Sequence, residues 1–181
     1  MNCPDCRDSR LVPNTLETDL NTEECSGCGG HWIGAVQYWR WLDSHGSDLP
    51  ESPAAEHTDL EVLDGDSARV CPECKRILAR SKVGHGLDFY LDRCIECGGI
   101  WLDRNEWLVL KSRNLHDDIH RIFSRSWQDR NLRAEQEAYR ERWLKEVFGE
   151  ERLAYMKEFR AWLRTQEHQG AIHSFLSEKG N

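Results

Sequence analysis

The chain lacks the sequence features of a membrane-spanning or secreted protein. No apolar run among its 181 residues approaches the ~20 residues that cross a bilayer. Residues 1–6 contain neither the basic segment nor the apolar segment of a secretion signal. We therefore expect a cytoplasmic protein that has no membrane partner.

Basic side chains are also fewer than acidic ones. The sequence holds 24 basic and 32 acidic side chains, for a formal net charge of −8. Proteins that bind nucleic acid mainly through its phosphates need a net basic surface. The charge balance therefore disfavours a nucleic-acid partner without excluding one.

Catalytic motifs are nearly absent. The sequence has no glycine-rich phosphate loop, no serine nucleophile motif and no cysteine left over to act as a nucleophile. Only residues 116–120 (His-Asp-Asp-Ile-His) resemble a catalytic string, the HExxH of zinc proteases, with the shorter Asp at the position of the general base and no obvious third ligand. We therefore predict that the protein is not an enzyme.

What the sequence does contain is a regular cysteine pattern. All eight cysteines fall in CxxC pairs, and 18 or 19 residues separate the two pairs of each set. Two such knuckles joined by a hairpin supply the four thiolates of a tetrahedral zinc site. A rubredoxin-like iron site and redox-active CxxC pairs remain alternatives, whereas a reducing cytosol disfavours disulfides. We predict two zinc ions per chain, bound by Cys3, Cys6, Cys25, Cys28, Cys71, Cys74, Cys94 and Cys97.

The two cysteine sets belong to an internal duplication. Residues 3–6 match residues 71–74, and residues 25–33 match residues 94–102, including the Cys-Gly-Gly-x-Trp run of each copy. Each copy predicts a β-hairpin between its knuckles. We expect Trp32 and Trp101 to pack beside their own knuckles, each as the small core of its own ribbon.

The pattern CPxC…CxxCGGxWLD followed by a helix resembles a bacterial zinc-ribbon family named for its likeness to the ribbon of transcription factor IIB. Residues 71–106 carry the full motif, whereas the first copy has Gly34 and Gln37 where the family has Asp and Glu. The resemblance implies a zinc-ribbon fold but not a role in transcription. In the second copy, Asp103 and Glu106 are expected at the N-cap and third position of the following helix.

The predicted fold is a small α+β architecture: two tandem four-cysteine zinc ribbons, each a β-hairpin plus knuckles, followed by an α-helical arm or hairpin. The predicted segments are a first ribbon (1–42), an acidic linker (43–69), a second ribbon with its following helix (70–115) and the helical arm (116–181). The linker prediction depends on eight acidic side chains against one basic side chain. Gly149 is expected to break the arm into two helices.

The arm carries more aromatic side chains than a two-helix hairpin can bury. We predict that it forms a protein-binding or self-association surface, with Trp127, Tyr139, Trp143, Phe159 and Trp162 as its contact residues. The favoured hypothesis is a non-catalytic zinc-binding adaptor or regulatory protein that docks a protein partner through its ribbons and arm. A nucleic-acid-binding, transcription-type regulator is the first alternative. A redox-sensitive zinc chaperone is the second.

Overall fold

The computed structural model describes residues 1–45, 60–62, 65 and 67–178. Its six strands are β1 (Leu11–Glu17), β2 (Leu20–Cys25), β3 (His31–Ile33), β4 (Ala79–Gly84), β5 (Leu87–Arg93) and β6 (Ile100–Leu102). Its helices are α1 (Ala35–His45), α2 (Glu106–Ser112), α3 (Ile119–Ile122), α4 (Arg125–Phe148), α5 (Glu150–Leu163) and α6 (Gln169–Ser177). The predicted small α+β class is confirmed.

The two ribbons form one sheet rather than two. The strand order is β1-β2-β3-β6-β5-β4, and all neighbouring strands are antiparallel. The short third strands of the two copies join the ribbons, with Trp32 paired opposite Trp101 at the centre of the sheet. Each ribbon thereby covers an edge that the other would leave open, which removes two exposed edge strands.

The predicted hairpin of the second copy is present. Gly84, His85 and Gly86 all have positive φ in the turn, a conformation that glycine adopts without strain. Phe89 and Leu91 alternate with polar residues along β5 and are buried, as a half-buried strand requires.

Helices from both copies cover one face of the sheet, and the helix that follows each ribbon contacts the other copy. The Tyr38 hydroxyl of α1 donates a hydrogen bond of 2.9 Å to the Asp117 carbonyl, beyond the second ribbon. In the opposite direction, Trp107 Nε1 of α2 donates to a Glu17 carboxylate oxygen at 3.2 Å, in the first ribbon. The rings of Trp41 and Trp107 meet edge to face at 5.4 Å between them. The apolar core on this face is therefore shared by the two copies.

The central tryptophans interlock the ribbons, which corrects the prediction that each packs within its own copy. A Cβ atom added to Gly99 would lie 2.1 Å from Cζ2 of Trp32, and one added to Gly30 would lie 2.3 Å from Cζ2 of Trp101. Each indole thus occupies the space that a glycine leaves in the other ribbon. Neither ribbon has a complete core by itself, because both tryptophans and both cysteine sets belong to one buried cluster.

Folded residues extend into both ends of the predicted linker. Helix α1 continues to His45, three residues beyond the predicted end of the first ribbon. At the other end, Arg69 is buried within the fold. Leu60 and Val62 also pack partly against the shared core. The central part of the predicted linker, residues 46–59, lies outside the described residues.

The helical region also begins differently from the prediction. The long helix expected over residues 116–148 is interrupted after α3, and Ser124 Oγ accepts a hydrogen bond from the Trp127 backbone N–H at the start of α4. Two compact units result, Met1–Asn131 and Leu132–Asn181. The first turns of α4 belong to the ribbon unit, so the separate helical unit begins at residue 132 rather than at residue 116.

Within the second unit, the predicted break at Gly149 is present. Gly149 has a φ of 77° between α4 and α5. An ion pair joins Lys157 to Glu141, which lie eight residues on either side of Gly149. This contact requires the two helices to fold back on each other as a hairpin.

Among the described residues, no helix combines the length and the apolar character needed to cross a membrane.

Candidate metal centres

The eight predicted ligands form two clusters of four. In each cluster the four sulfur atoms lie within 4.8 Å of one another. Two sulfur–sulfur separations in the first centre are 3.7 Å and 3.9 Å, and two in the second are 3.6 Å and 3.2 Å. A tetrahedron with Zn–S bonds of ~2.3 Å has edges of about 3.8 Å. All eight thiols are free, and both clusters are close to the size of a four-thiolate zinc site.

The knuckles present their sulfur atoms because the local backbone turns around them. Cys6 N and Cys74 N donate hydrogen bonds to the sulfur of the preceding cysteine, at 3.2 Å and 3.4 Å. In the second knuckles, Gly29 and Gly98 have φ of 72° and 74°, which suits glycine. Such N–H donors orient metal-bound thiolates and stabilise their charge.

The ionisation of the thiols also suits a cation. Burial raises the pKa of Cys3 to about 12, and burial also raises the pKa of Cys28 and Cys97. Burial opposes ionisation of Cys25 and Cys94 too, yet backbone N–H donors of their knuckles outweigh it, and the pKa of each is about 7. A divalent cation is therefore needed to hold the cysteines whose pKa is raised as thiolates.

Two zinc ions per chain follow from these observations. Four thiolates complete the tetrahedral coordination of zinc and leave no position for water or substrate, which is the arrangement of a structural site. Apparent zinc affinities of ~10–16 kcal/mol exceed what a ribbon of this size gains from its own core. Each ion therefore holds its pair of knuckles together.

The fold and the two centres define a tandem zinc-ribbon protein. A family model described as "Transcription factor zinc-finger" matches residues 2–44 and again residues 70–113. The two segments match this family separately, which is consistent with two tandem copies of its zinc ribbon. Neither a curated protein nor a solved structure gives a significant match to the chain.

A buried charge network beside the second centre was missed by the sequence analysis. The guanidinium of Arg69 forms ion pairs with Asp92 and with Asp103, the latter at 2.7 Å. It also reaches Asp5 of the first ribbon at 3.4 Å. Burial alone would lower the pKa of Arg69, but the three carboxylates raise it, so the side chain stays charged. Arg69 is the one basic residue of an acidic stretch, and this isolation was its only signal in the sequence.

The acidic pair of the family motif acts only partly as predicted. Glu106 accepts a hydrogen bond of 2.8 Å from the Asp103 backbone N–H, which is half of a capping box. The Asp103 carboxylate does not cap the helix. It accepts from Trp101 Nε1 at 2.9 Å and pairs with Arg69, so it fixes the indole that fills the other ribbon.

The string that resembles a zinc-protease motif does not form a site in the structure. Helix α3 begins only at Ile119, so the two histidines do not share one helical face. His116 is buried against the rings of Trp41 and Trp107. Burial lowers the pKa of His116, so its imidazole is neutral beside these aromatic rings.

Trp127 is not part of an exposed surface, contrary to prediction. Its indole is only 6% exposed, it stacks on His85 at 4.5 Å, and Nε1 donates to the Val83 carbonyl at 2.8 Å. Gln128 and Asn131 hydrogen-bond to the backbone of Lys82 beside it. The first turns of α4 therefore cover the outer edge of β4.

The other four predicted contact residues are at the surface of the helical unit. Their exposed fractions are 65% for Tyr139, 50% for Trp143, 44% for Phe159 and 50% for Trp162. The rings of Phe159 and Trp162 lie 5.5 Å apart.

Proposed function

We propose that the protein is a non-catalytic, cytoplasmic zinc-binding adaptor that docks a protein partner through the helical hairpin, with the zinc ribbons as its rigid folded part. The observation that carries this proposal is the exposure of Tyr139, Trp143, Phe159 and Trp162 in a unit that buries few apolar side chains of its own. Aromatic side chains supply much of the binding energy at protein interfaces.

Two further observations support the non-catalytic and cytoplasmic parts of the proposal. Both metal centres have four thiolate ligands, which leaves no open coordination position for chemistry. The eight free thiols suit a reducing compartment. A zinc site without an open coordination position is best suited to stabilising a fold whose surface another protein recognises.

Replacing Trp143 with alanine should remove partner binding and leave zinc binding intact. Trp143 is half exposed and is not a metal ligand, so its loss removes contact area without disturbing either centre. We expect the dissociation constant of the complex to rise at least about thirtyfold, the effect of losing a central aromatic contact. The measurement is affinity capture by the tagged chain, with zinc content determined on the same preparation.

Trp39→Ala is the matched control, because Trp39 is a similarly exposed tryptophan on α1, in the other unit. It should capture the same partner as the wild type. Undiminished capture by the Trp143 variant would contradict the proposal. If the wild type captures no protein but binds nucleic acid with an affinity that falls steeply as salt rises, the nucleic-acid alternative replaces it.

A further inference from the structure

The helical hairpin exposes one broad apolar face, which we define by Tyr139, Trp143 and Val147 on α4 and Tyr155, Phe159 and Trp162 on α5. We infer that this hairpin face binds the same face of a second copy of the chain. The inference rests on the proposed function and names the partner. It follows from the placement of these residues, the area they expose and the charge around them.

The six side chains lie on one side of the hairpin. The α4 residues recur at every fourth position, and the α5 residues at i, i+4 and i+7, so each set forms a single stripe. Half-buried Leu144 and Phe148 mark the inner side of α4, and buried Leu153 and Leu163 mark the inner side of α5.

The antiparallel direction of the two helices places the two stripes on the same side of the hairpin. At 100° per residue, each stripe lies roughly 110–120° from the inner side of its helix, in the same rotational sense. Because the ion pair between Lys157 and Glu141 fixes the helices as an antiparallel pair, equal rotations place both stripes on the same side of the hairpin.

The exposed area is what a dimer needs. The five aromatic side chains of the face are between 44% and 66% exposed, and Val147 is 52% exposed. With 150–250 Å² for a whole aromatic side chain, the face presents about 600 Å², the upper limit of apolar patches on monomers. Two such faces in contact would bury about 1,200 Å², which reaches the standard size of a specific interface before any flanking side chain is counted.

The charge distribution favours a second copy over other partners. Residues 132–181 contain nine basic and nine acidic side chains, whereas residues 1–131 contain the other 15 basic and 23 acidic ones. The whole net charge of −8 is therefore outside the helical unit. Two helical units can meet without net repulsion, and a unit without net charge does not attract a basic protein or a nucleic acid over long range. Apolar, self-complementary faces are typical of twofold homodimers.

Two hairpins joined through these faces make a four-helix bundle. In that arrangement the aromatic stripes become the core of the bundle, and each chain completes the burial that its own two helices cannot supply. The dimer carries two zinc-ribbon units, one from each chain, and so presents two copies of any docking surface on the ribbons.

The test is the molar mass of the full-length, zinc-loaded chain by light scattering over a series of concentrations. We expect twice the chain mass of 21.2 kDa. Trp143→Glu and Phe159→Glu should each shift the chain to monomer and raise the dissociation constant at least about thirtyfold. Trp143→Phe should stay dimeric, because phenylalanine keeps an apolar ring at the interface. Helical circular dichroism and zinc content should be unchanged in all three.

Trp39→Glu serves as the control for a charge placed on an exposed tryptophan outside the hairpin face, and it should remain a dimer. A wild-type monomer at every concentration, or a dimer that survives both glutamate variants, would overturn the inference. A monomer that still captures another protein in a Trp143-dependent manner overturns it and leaves the proposed function standing. A Trp143-dependent dimer that captures no further protein supports it and removes the adaptor role.

Discussion

Gly99→Ala should destabilise both zinc ribbons at once, although it changes one residue of the second copy. The added methyl group would sit 2.1 Å from a ring carbon of Trp32 in the first copy. Trp32 is 2% exposed and is held by a hydrogen bond of 2.9 Å from Nε1 to Glu73 of the second copy, so the indole has no open space to enter. We expect the free energy of unfolding to fall by about 3 kcal/mol or more, the upper range for overpacking a buried core.

The measurement is urea unfolding of the zinc-loaded chain. Gly30→Ala should behave in the same way, because the methyl group added in the first copy would meet Trp101 of the second copy. Gly170→Ala is the control: Gly170 lies in α6 with open space around its Cβ position, and alanine there should change stability by less than about 1 kcal/mol. If Gly99→Ala and Gly170→Ala were equally mild, the interlock of the tryptophans would be wrong.

Cys6→Ser should weaken zinc binding at both centres, not at its own alone. Serine removes one of the four thiolates of the first centre. The cysteines of that centre belong to the buried cluster that the two ribbons share. Strand β3 of the first ribbon is paired along its whole length with β6 of the second. Loosening one ribbon therefore leaves the other with an unpaired strand edge and with an empty space where the tryptophan had packed. We expect zinc affinity at the intact second centre to fall at least about tenfold, the effect of losing outer supports of a metal site.

Competition with a chelator measures this affinity, and Cys74→Ser should give the reciprocal result at the first centre. Ser26→Ala provides a control within a knuckle, since Ser26 is exposed and is not a ligand. A Cys6→Ser chain that keeps one zinc ion with wild-type affinity would show that the ribbons are independent.

The metal centres could be predicted from the sequence because their information is local. The spacing within and between CxxC pairs specifies a four-thiolate site, whatever surrounds it. Helix ends are local too, so Gly149 marked the turn between α4 and α5 correctly. Ile119, Ile122 and Trp127 are apolar residues at roughly helical spacing, and the structure buries all three. Trp127 was assigned to the surface because its partner, the edge of β4, is far away in sequence.

The union of the ribbons was not predictable in the same way. Strands β3 and β6 have three residues each, too few for an alternating pattern to show. The second glycine of each Cys-Gly-Gly run was the one available signal, because Gly30 and Gly99 have no positive φ of their own to require glycine. Their small size is needed for a tryptophan from the other copy. Arg69 is similar, since its three acidic partners come from separate segments of the chain.

The central claim is that two zinc ribbons form a single folded unit with two zinc ions. Native mass spectrometry of the wild-type chain during a chelator titration tests it most directly. The account predicts a starting species with two zinc ions that is replaced by the metal-free chain, with the one-zinc species scarce throughout. A one-zinc species that accumulates as the main intermediate, or a starting chain without zinc, would contradict it.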